Sequence, residues 1–446
     1  MDSLQHKIYA LLERKSFLEL KDLLARLNPA DLAEFISLAP LEQKATIFRL
    51  LEKPQAVDVF EFLEVEEQQE LLHGFHKTPL IEILEEMSPD DRARLLDEMP
   101  AGVAKKLLAE ISQEEREMTS LLLGYRENSA GRIMTPEFVD LKSNLTVGQA
   151  LARIRRIGGE KETIYYGYII DEKRQLLGVT SLRELVLADP SEPINKIMNE
   201  QVISVSVDDD QEKCADYIKK YDLLAIPVVD RESRLVGIIT VDDILDILEE
   251  EATEDFHRTS GVAPIEIDYP RAGVSMLWKK RIGWLLILLV TDFLSSSVIA
   301  YFEKAIQAVV ALAFFIPMLI DTGGNTGTQS ATLIIRGIAT GQLEMRDWLA
   351  VVWKELRVGL LLGLALGIIV YVRGFFWRGG PEIGFVVGLT MIVLVIWTNL
   401  VGAVLPMVLI KFKLDPAVVS SPFITTASDV TGLVIYFSIA KWILGI

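Results

Sequence analysis

Asp429 stands in Phe423-Ile-Thr-Thr-Ala-Ser-Asp-Val-Thr, inside an apolar stretch from about 417 to 443 and one residue from its midpoint. A carboxylate at mid-membrane costs on the order of 2.5–3.5 kcal/mol on insertion scales, so it is expected to face a bundle interior or a wet cavity. A second anomaly is Pro317-Met-Leu-Ile-Asp-Thr-Gly-Gly-Asn-Thr-Gly-Thr-Gln329. Its three glycines, proline, amides and hydroxyls predict a break in an apolar helix. Irregular backbone at that depth is tolerated only where it is buried in protein or lines water. The carbonyls there, around Gly324, with Asn325 and Gln329, become candidate oxygens along a hydrated path. A carboxylate with hydroxyls and carbonyls, and no Cys or His in any span, is a hard-oxygen environment. It suits Mg²⁺, Ca²⁺ or Mn²⁺ and disfavours copper or zinc. Mg²⁺ sheds water reluctantly, and one Asp per chain doubled by a twofold dimer would fit a hydrated ion. The same lining would serve a proton or Na⁺, and chemistry alone does not separate them.

Five stretches are long enough to carry this lining across a bilayer, which takes roughly 20 apolar residues. They run from about Ile282 to Phe302, Ala305 to Ile338, Trp348 to Phe376, Ile383 to Ile410 and Ala417 to Ile443. Lys279, Lys280 and Arg281 precede the first span, Arg336 and Arg346 follow the second, and Lys411 and Lys413 follow the fourth. This bias places the preceding residues in the cytoplasm and, with five spans, the C-terminus outside. Arg373 and Arg378 fall on the opposite side and run against it.

The 446 residues divide sharply by charge. Residues 1–270 hold 31 Lys+Arg and 54 Asp+Glu, net −23, whereas 271–446 hold 14 and 9, net +5. The long apolar runs exclude a wholly soluble enzyme. The acidic soluble part would repel phosphates, which excludes a basic-surface nucleic-acid binder. Cys214 is the single cysteine, so there is no disulfide scaffold and a reducing compartment is expected. The first residues, MDSLQHKIYALLERKS, have no apolar core of signal-peptide length. There is no nucleophile elbow, phosphate-binding glycine loop or His/Cys cluster to suggest catalysis.

Residues 1–127 read as an all-α superhelix of short helices. Asn28-Pro29-Ala30-Asp31 and Ser88-Pro89-Asp90-Asp91 each supply a cap, a proline at the first helical position and acid in the first turn. Ser112 with Glu115 predicts a capping box. Residues 130–250 contain a duplication, about 130–193 and 194–250. Arg132-Ile-Met134 returns as Lys196-Ile-Met198, Tyr168-Ile-Ile-Asp171 as Pro227-Val-Val-Asp230, and Ser181-Leu-Arg-Glu-Leu185 as Thr240-Val-Asp-Asp-Ile244. The later elements are offset by 59 residues and the first by 64. Each repeat alternates helix with short β-branched strands, an α/β module that looks like a tandem pair of CBS domains. Such pairs are regulatory and often sense adenosine nucleotides such as ATP. Ser181 and Thr240 resemble their ribose-binding position, although an N-cap followed by acid explains the same residues. A connecting helix over 251–278 then leads to the membrane domain, 279–446.

This order of domains resembles the MgtE family of magnesium channels and transporters. The residues that carry the resemblance are Pro317…Gly323-Gly324-Asn325-x-Gly327-x-Gln329, Glu250-Glu-Ala-Thr-Glu-Asp255, Asp415-Pro-Ala and Ser428-Asp429-Val-Thr. The resemblance implies a homodimer in the cell membrane whose pore runs between the second and fifth spans, with Asp429 holding hydrated Mg²⁺ and Asp415 near the cytoplasmic mouth. It implies regulatory Mg²⁺ between cytoplasmic domains as a closing signal. The residues for that role are Asp243, Asp246, Glu251, Glu254, Asp255, Asp222 and Glu212, with Asp90 or Asp91 as partners. Arg92 and Arg94 stand where some relatives carry further carboxylates. The alternative from another class is a proton- or Na⁺-coupled transporter of divalent cations.

Overall fold

A computed structural model describes the chain except residues 1, 15, 75–76, 266–268, 270–271, 377–379, 413–420 and 446. The chain forms two compact units, Met1–Glu249 and Glu250–Ile446.

The first unit opens with helices α1 (Asp2–Glu13), α2 (Phe17–Leu24), α3 (Pro29–Leu38), α4 (Leu41–Phe48) and α5 (Lys53–Glu61). It continues with α6 (Val65–Gly74), α7 (Lys77–Glu86), α8 (Pro89–Asp97), α9 (Ala101–Glu110) and α10 (Gln113–Leu123). The expected caps set these starts. Asn28 Oδ1 accepts the Ala30 N–H at 2.9 Å, with Pro29 in the first turn. Ser112 Oγ accepts the Glu115 N–H at 3.3 Å, but the return bond of a capping box is missing. Instead Glu85 Oε1 accepts the Ser112 N–H at 3.0 Å, and Glu115 pairs with Arg92. Arg92 is fully buried and also donates to Thr119 Oγ1 (2.8 Å) and the carbonyls of Leu84 (2.7 Å) and Met87 (3.1 Å). It therefore pins α7, α8 and α10 together, a structural duty that local sequence did not reveal.

After the short α11 (Ala130–Ile133), the duplication becomes two three-stranded sheets of identical topology. β1 (Asp140–Lys142) pairs parallel with β2 (Tyr166–Ile170), which pairs antiparallel with β3 (Leu176–Ser181). β4 (Val205–Ser206), β5 (Ala225–Val229) and β6 (Leu235–Thr240) repeat this, with the register irregularity at Ile169/Ile170 recurring at Val228/Val229. The intervening helices are α12 (Val147–Ile157), α13 (Leu182–Leu187) and α14 (Gln211–Tyr221).

The opening segments of the two repeats are exchanged in space. Thr135 bridges to Ile238 of the second sheet, and Asn199 bridges to Val179 of the first. A Cβ at Gly237 would lie 2.6 Å from Met134 Sδ, and one at Gly178 would lie 2.8 Å from Met198 Sδ. Arg132-Ile-Met134, expected to open the first repeat, thus packs on the second.

α15 (Val241–Thr259) runs across the division between the units. The single connecting helix expected over 251–278 is not formed. α15 stops at Thr259, Gly261 turns the chain with φ +73°, and α16 begins only at Val274. Gly261 fits because a side chain there would be strained and would press on the Trp284 ring. The Val262 N–H bonds the His257 carbonyl at 2.9 Å and the Ala263 N–H bonds the Lys280 carbonyl at 3.0 Å, laying the connector back on α16.

Four helical segments among the described residues are long and apolar enough to cross a membrane. They are α16 (Val274–Tyr301), Met345–Phe376 containing α19 (Trp348–Phe376), α20 (Gly380–Lys411) and α21 (Ser421–Leu444). The expected second span divides into α17 (Glu303–Ala308), a 3₁₀ turn over Val310–Phe315 and α18 (Ile316–Ala339). α18 has 24 residues, long enough to span, but it carries the polar segment.

That segment is not broken. Pro317 sits in the first turn, where its missing N–H costs nothing. Thr322 Oγ1 donates to the Met318 carbonyl at 2.7 Å and Thr326 Oγ1 to the Thr322 carbonyl at 2.6 Å, so hydroxyls are satisfied inside the helix. The glycines serve close packing. A Cβ at Gly402 of α20 would fall on the Gly327 carbonyl oxygen of α18, so these backbones touch. The expectation of free carbonyls as ion ligands is therefore corrected.

Candidate functional site

Within the membrane unit, α16, α18 and α21 line an open pocket of about 620 Å³. Asp429 and Asp292 line it, with Asn325, Thr328, Thr425 and Thr426 as further oxygen-bearing groups. Asp429 Oδ1 is buried and has no hydrogen-bond partner. Asp321 and Asp292 are both within electrostatic reach of Asp429. Asn325 Nδ2 donates to Asp321 Oδ2 at 3.2 Å, leaving the amide oxygen for another donor or cation. Such a lining offers several hard oxygens around enough space for an ion with its waters.

Of the expected lining residues, Asp429 and Asn325 reach this pocket. Gly324 does not: it is buried, and a Cβ there would lie 2.8 Å from Thr425 Cγ2, so it lets α18 approach α21. Gln329 is exposed and outside the pocket lining. Asp415 lies outside the described residues. Asp292 was missed by sequence reasoning, although a carboxylate inside the first span was signal enough.

The soluble unit concentrates acid where α8 meets α15 and the first sheet. Asp90 interacts electrostatically with Asp91, Asp243 and Glu162, and Asp91 with Asp242 and Asp246. Burial, with the Asp243 and Asp91 charges, pushes the Asp90 carboxyl well up. Burial, opposed by a 2.5 Å hydrogen bond from Thr240 Oγ1 and reinforced by Asp91, pushes Asp243 up to about 7. Burial and the Asp243 and Asp91 charges push Glu162 up to about 7. Glu61 is also raised to about 7 by burial, although it accepts the Ser88 N–H at 3.0 Å. Asp90 Oδ1 is buried without a hydrogen-bond partner.

The structure thus brings together Asp90, Asp91, Asp243 and Asp246, and adds Glu162 and Asp242, which sequence reasoning missed. It also adds Glu61, which the acid-rich stretch Glu61 to Glu70 places on a solvated face by sequence but which is part-buried here and bonded to the Ser88 N–H. Glu61 and Glu162 are distant in sequence from any of the motifs. Among the described residues no three His, Cys, Asp or Glu side chains are arranged to hold a metal directly. The arrangement fits a cation that keeps part of its water. Glu212 and Asp222 sit at opposite ends of α14, roughly 15 Å apart at about 1.5 Å per residue, so one ion cannot take both directly. Glu254 pairs with Arg258 one turn along α15, the helix that also bears Glu251 and Asp255.

Ser181 lines a pocket of about 630 Å³ with Tyr165, Tyr166, Arg183, Val186 and Leu224. It also forms a capping box: its hydroxyl accepts the Glu184 N–H at 3.2 Å, and its own N–H donates to Glu184 Oε2 at 2.7 Å. Thr240 is buried, bonded to Asp243, and outside this pocket.

A bundle of membrane helices around a carboxylate-lined pocket, in one chain with a helical domain and an α/β pair, defines a membrane transport protein. Residues 316–439 match a family model described as a divalent cation transporter, MgtE. Residues 27–128 match the MgtE intracellular N domain, and 194–250 match a CBS domain. The magnesium transporter MgtE of Thermus thermophilus is 45% identical over 429 residues, 95% of each chain. That of Bacillus subtilis is 35% identical over 439 residues, 98% of this chain and 97% of its own. The chain belongs to the MgtE family of magnesium transporters, and it is a transporter rather than an enzyme. Among solved structures, the cytosolic domain of the Mg²⁺ channel MgtE in complex with ATP is 38% identical, with a TM-score of 0.53. It matches over 55% of this chain and 99% of its own. The soluble part of a magnesium transporter is 34% identical, with a TM-score of 0.54, over 56% of this chain and 99% of its own.

Proposed function

We propose that two copies of this chain form a channel in the cell membrane that admits Mg²⁺ and closes when cytoplasmic Mg²⁺ is ample. The single observation that carries the reading is Asp429: a membrane carboxylate with an unpartnered oxygen, facing a pocket lined by a second aspartate and hydroxyls. The pocket accommodates Mg²⁺ with water retained, and a twofold axis would double the carboxylates. Residues 1–270 face the cytoplasm, and the C-terminus lies outside.

The acidic cluster supplies the gate. At net −23, residues 1–270 of two copies repel each other when divalent cation is scarce. Asp90, Asp91, Asp242, Asp243 and Asp246 would hold the regulatory cation, with Glu61 and Glu162 beside them, while Glu251, Glu254 and Asp255 extend the acid along α15. Two unit charges at 4 Å interact by about 4 kcal/mol at an effective dielectric near 20. Neutralising a few such pairs reaches the roughly 5.5 kcal/mol that takes a two-state gate from 1:99 to 99:1. The connector at Gly261–Ala263, already resting on Trp284 and Lys280 of α16, would carry that change to the pore. An adenosine nucleotide would occupy the pocket at Ser181, with Arg183 for its phosphates and Tyr165 or Tyr166 for its base.

Patch recording with cytoplasmic Mg²⁺ varied tests the gate. Current should fall as internal Mg²⁺ rises and should not depend on proton or Na⁺ gradients. Current that rises with internal Mg²⁺ rejects the feedback, and flux that requires a proton or Na⁺ gradient favours a coupled carrier.

A further inference from the structure

Glu355 lies in the third membrane span and is 8% exposed, yet it lines no part of the ion pocket. A carboxylate in such surroundings is expensive and calls for a function. Its Oε2 accepts from Ser330 Oγ of α18 at 3.0 Å and from Asn399 Nδ2 of α20 at 3.4 Å, so one oxygen joins three helices. Ser330 Oγ is also 3.0 Å from the Asn399 carbonyl, and a hydroxyl has one proton for the two acceptors. One turn earlier on the same face, Thr326 Oγ1 meets Thr398 Oγ1 at 3.2 Å. Thr326 and Ser330 are buried, whereas Asn325 and Thr328 line the pocket. The buried polar face thus fixes the rotation at which α18 presents Asn325 and Thr328 opposite Asp429.

We propose that Glu355 is a positioning residue for ion selectivity: through Ser330 and Asn399 it sets the pocket dimensions that match hydrated Mg²⁺, without touching the ion. This rests on the pore reading above. Charge is not what the role requires. In Glu355→Gln the amide oxygen still accepts from Ser330, and the new N–H₂ can donate to Asn399 Oδ1, which is buried without a partner. Glu355→Ala removes the common acceptor, leaving the Asn399 Nδ2 without it and Ser330 Oγ with the Asn399 carbonyl alone, so α19 is no longer tied to α18 and α20.

The test is Mg²⁺ and Ca²⁺ uptake by the full-length protein in vesicles, normalised to assembled protein, for wild type, Glu355→Gln, Glu355→Ala, Ser330→Ala and Asp429→Ala. A displacement of about 1 Å transmitted from a distant change can cost on the order of 100-fold at a site that depends on placement, so Glu355→Ala should lose at least about tenfold in Mg²⁺ uptake. Its preference for Mg²⁺ over Ca²⁺ should fall as well. Ser330→Ala, which removes one hydroxyl and keeps the carboxylate bonded to Asn399, is the milder variant and should shift the preference in the same direction, and Glu355→Gln should match wild type. A Glu355→Gln protein as defective as Glu355→Ala would make the charge itself essential and overturn the proposal. So would unchanged uptake and selectivity per assembled molecule in Glu355→Ala and Ser330→Ala. If those proteins behave as wild type while Asp429→Ala is inactive, only this inference fails. Asp429→Ala that transports normally overturns the pore reading and this inference together.

Discussion

Asp292 of α16 and Asp429 of α21 line the same pocket in the membrane unit, although 137 positions separate them in the chain. A pocket with two carboxylates per chain presents more negative charge to a dication than Asp429 alone. Asp292→Asn should therefore lower the apparent affinity for transported Mg²⁺ while leaving the protein assembled, and Asp429→Asn should do more damage because its oxygen is the buried one. Uptake measured against external Mg²⁺ distinguishes the two. Wild-type affinity in Asp292→Asn would remove that residue from the ion path.

The acidic cluster carries a pH dependence of defined sign. Glu61, Glu162 and Asp243 are raised to about 7 by burial and by neighbouring acid, above their values of about 4 in an unfolded chain. Stability held by such groups is fully present below pH 4 and is lost as pH climbs through 7. Without divalent cation, the full chain in detergent should become more sensitive to protease within residues 1–249 between pH 5 and pH 8. Added Mg²⁺ should suppress the change by taking the place of the protons. Asp90→Asn with Asp243→Asn should flatten the pH profile and weaken the Mg²⁺ effect.

Arg92 of α8 is fully buried, with partners on two further helices, α7 and α10. Arg92→Ala strands Glu115 and the carbonyls of Leu84 and Met87, a loss on the order of 3 kcal/mol, the low end for breaking a buried pair. Chemical denaturation followed through the soluble helices should give a lower midpoint. An unchanged midpoint would mean that these groups find water instead.

Gly402→Ala places a methyl group on the Gly327 carbonyl oxygen, and two helix backbones have no rotamer with which to yield. Overpacking of this kind costs about 1–3 kcal/mol or more. The melting temperature in detergent should drop, whereas Gly273→Ala, with nothing within 4 Å, should leave it in place.

Much of the architecture was legible because its signals are local. Trp348–Phe376 is bounded in the structure as hydropathy predicted, and Asn28-Pro29 caps its helix as the residue types demand. The polar segment after Pro317 was misread as a break because its local propensity is poor. Packing against α20 and α21 overrides that propensity, and hydroxyl bonds to the preceding turn satisfy the threonines. The exchange of Met134 and Met198 between repeats was hidden for a related reason: each motif looks the same whichever sheet it packs on. At the candidate sites, Asp429, Asn325 and the acid of α8 and α15 stood out by motif. Glu162 did not, because its significance arises from neighbours far away in sequence, whereas Asp292 and Glu355 each carry the local signal of a carboxylate inside an apolar span.

The most direct test of the account is growth of a magnesium-import-deficient cell carrying either the wild-type chain or Asp429→Ala, with membrane levels of the two proteins matched. Wild type should restore growth at low Mg²⁺ and Asp429→Ala should not, while high external Mg²⁺ should rescue both. Equal growth of the two strains at low Mg²⁺ would contradict a path for the ion past Asp429.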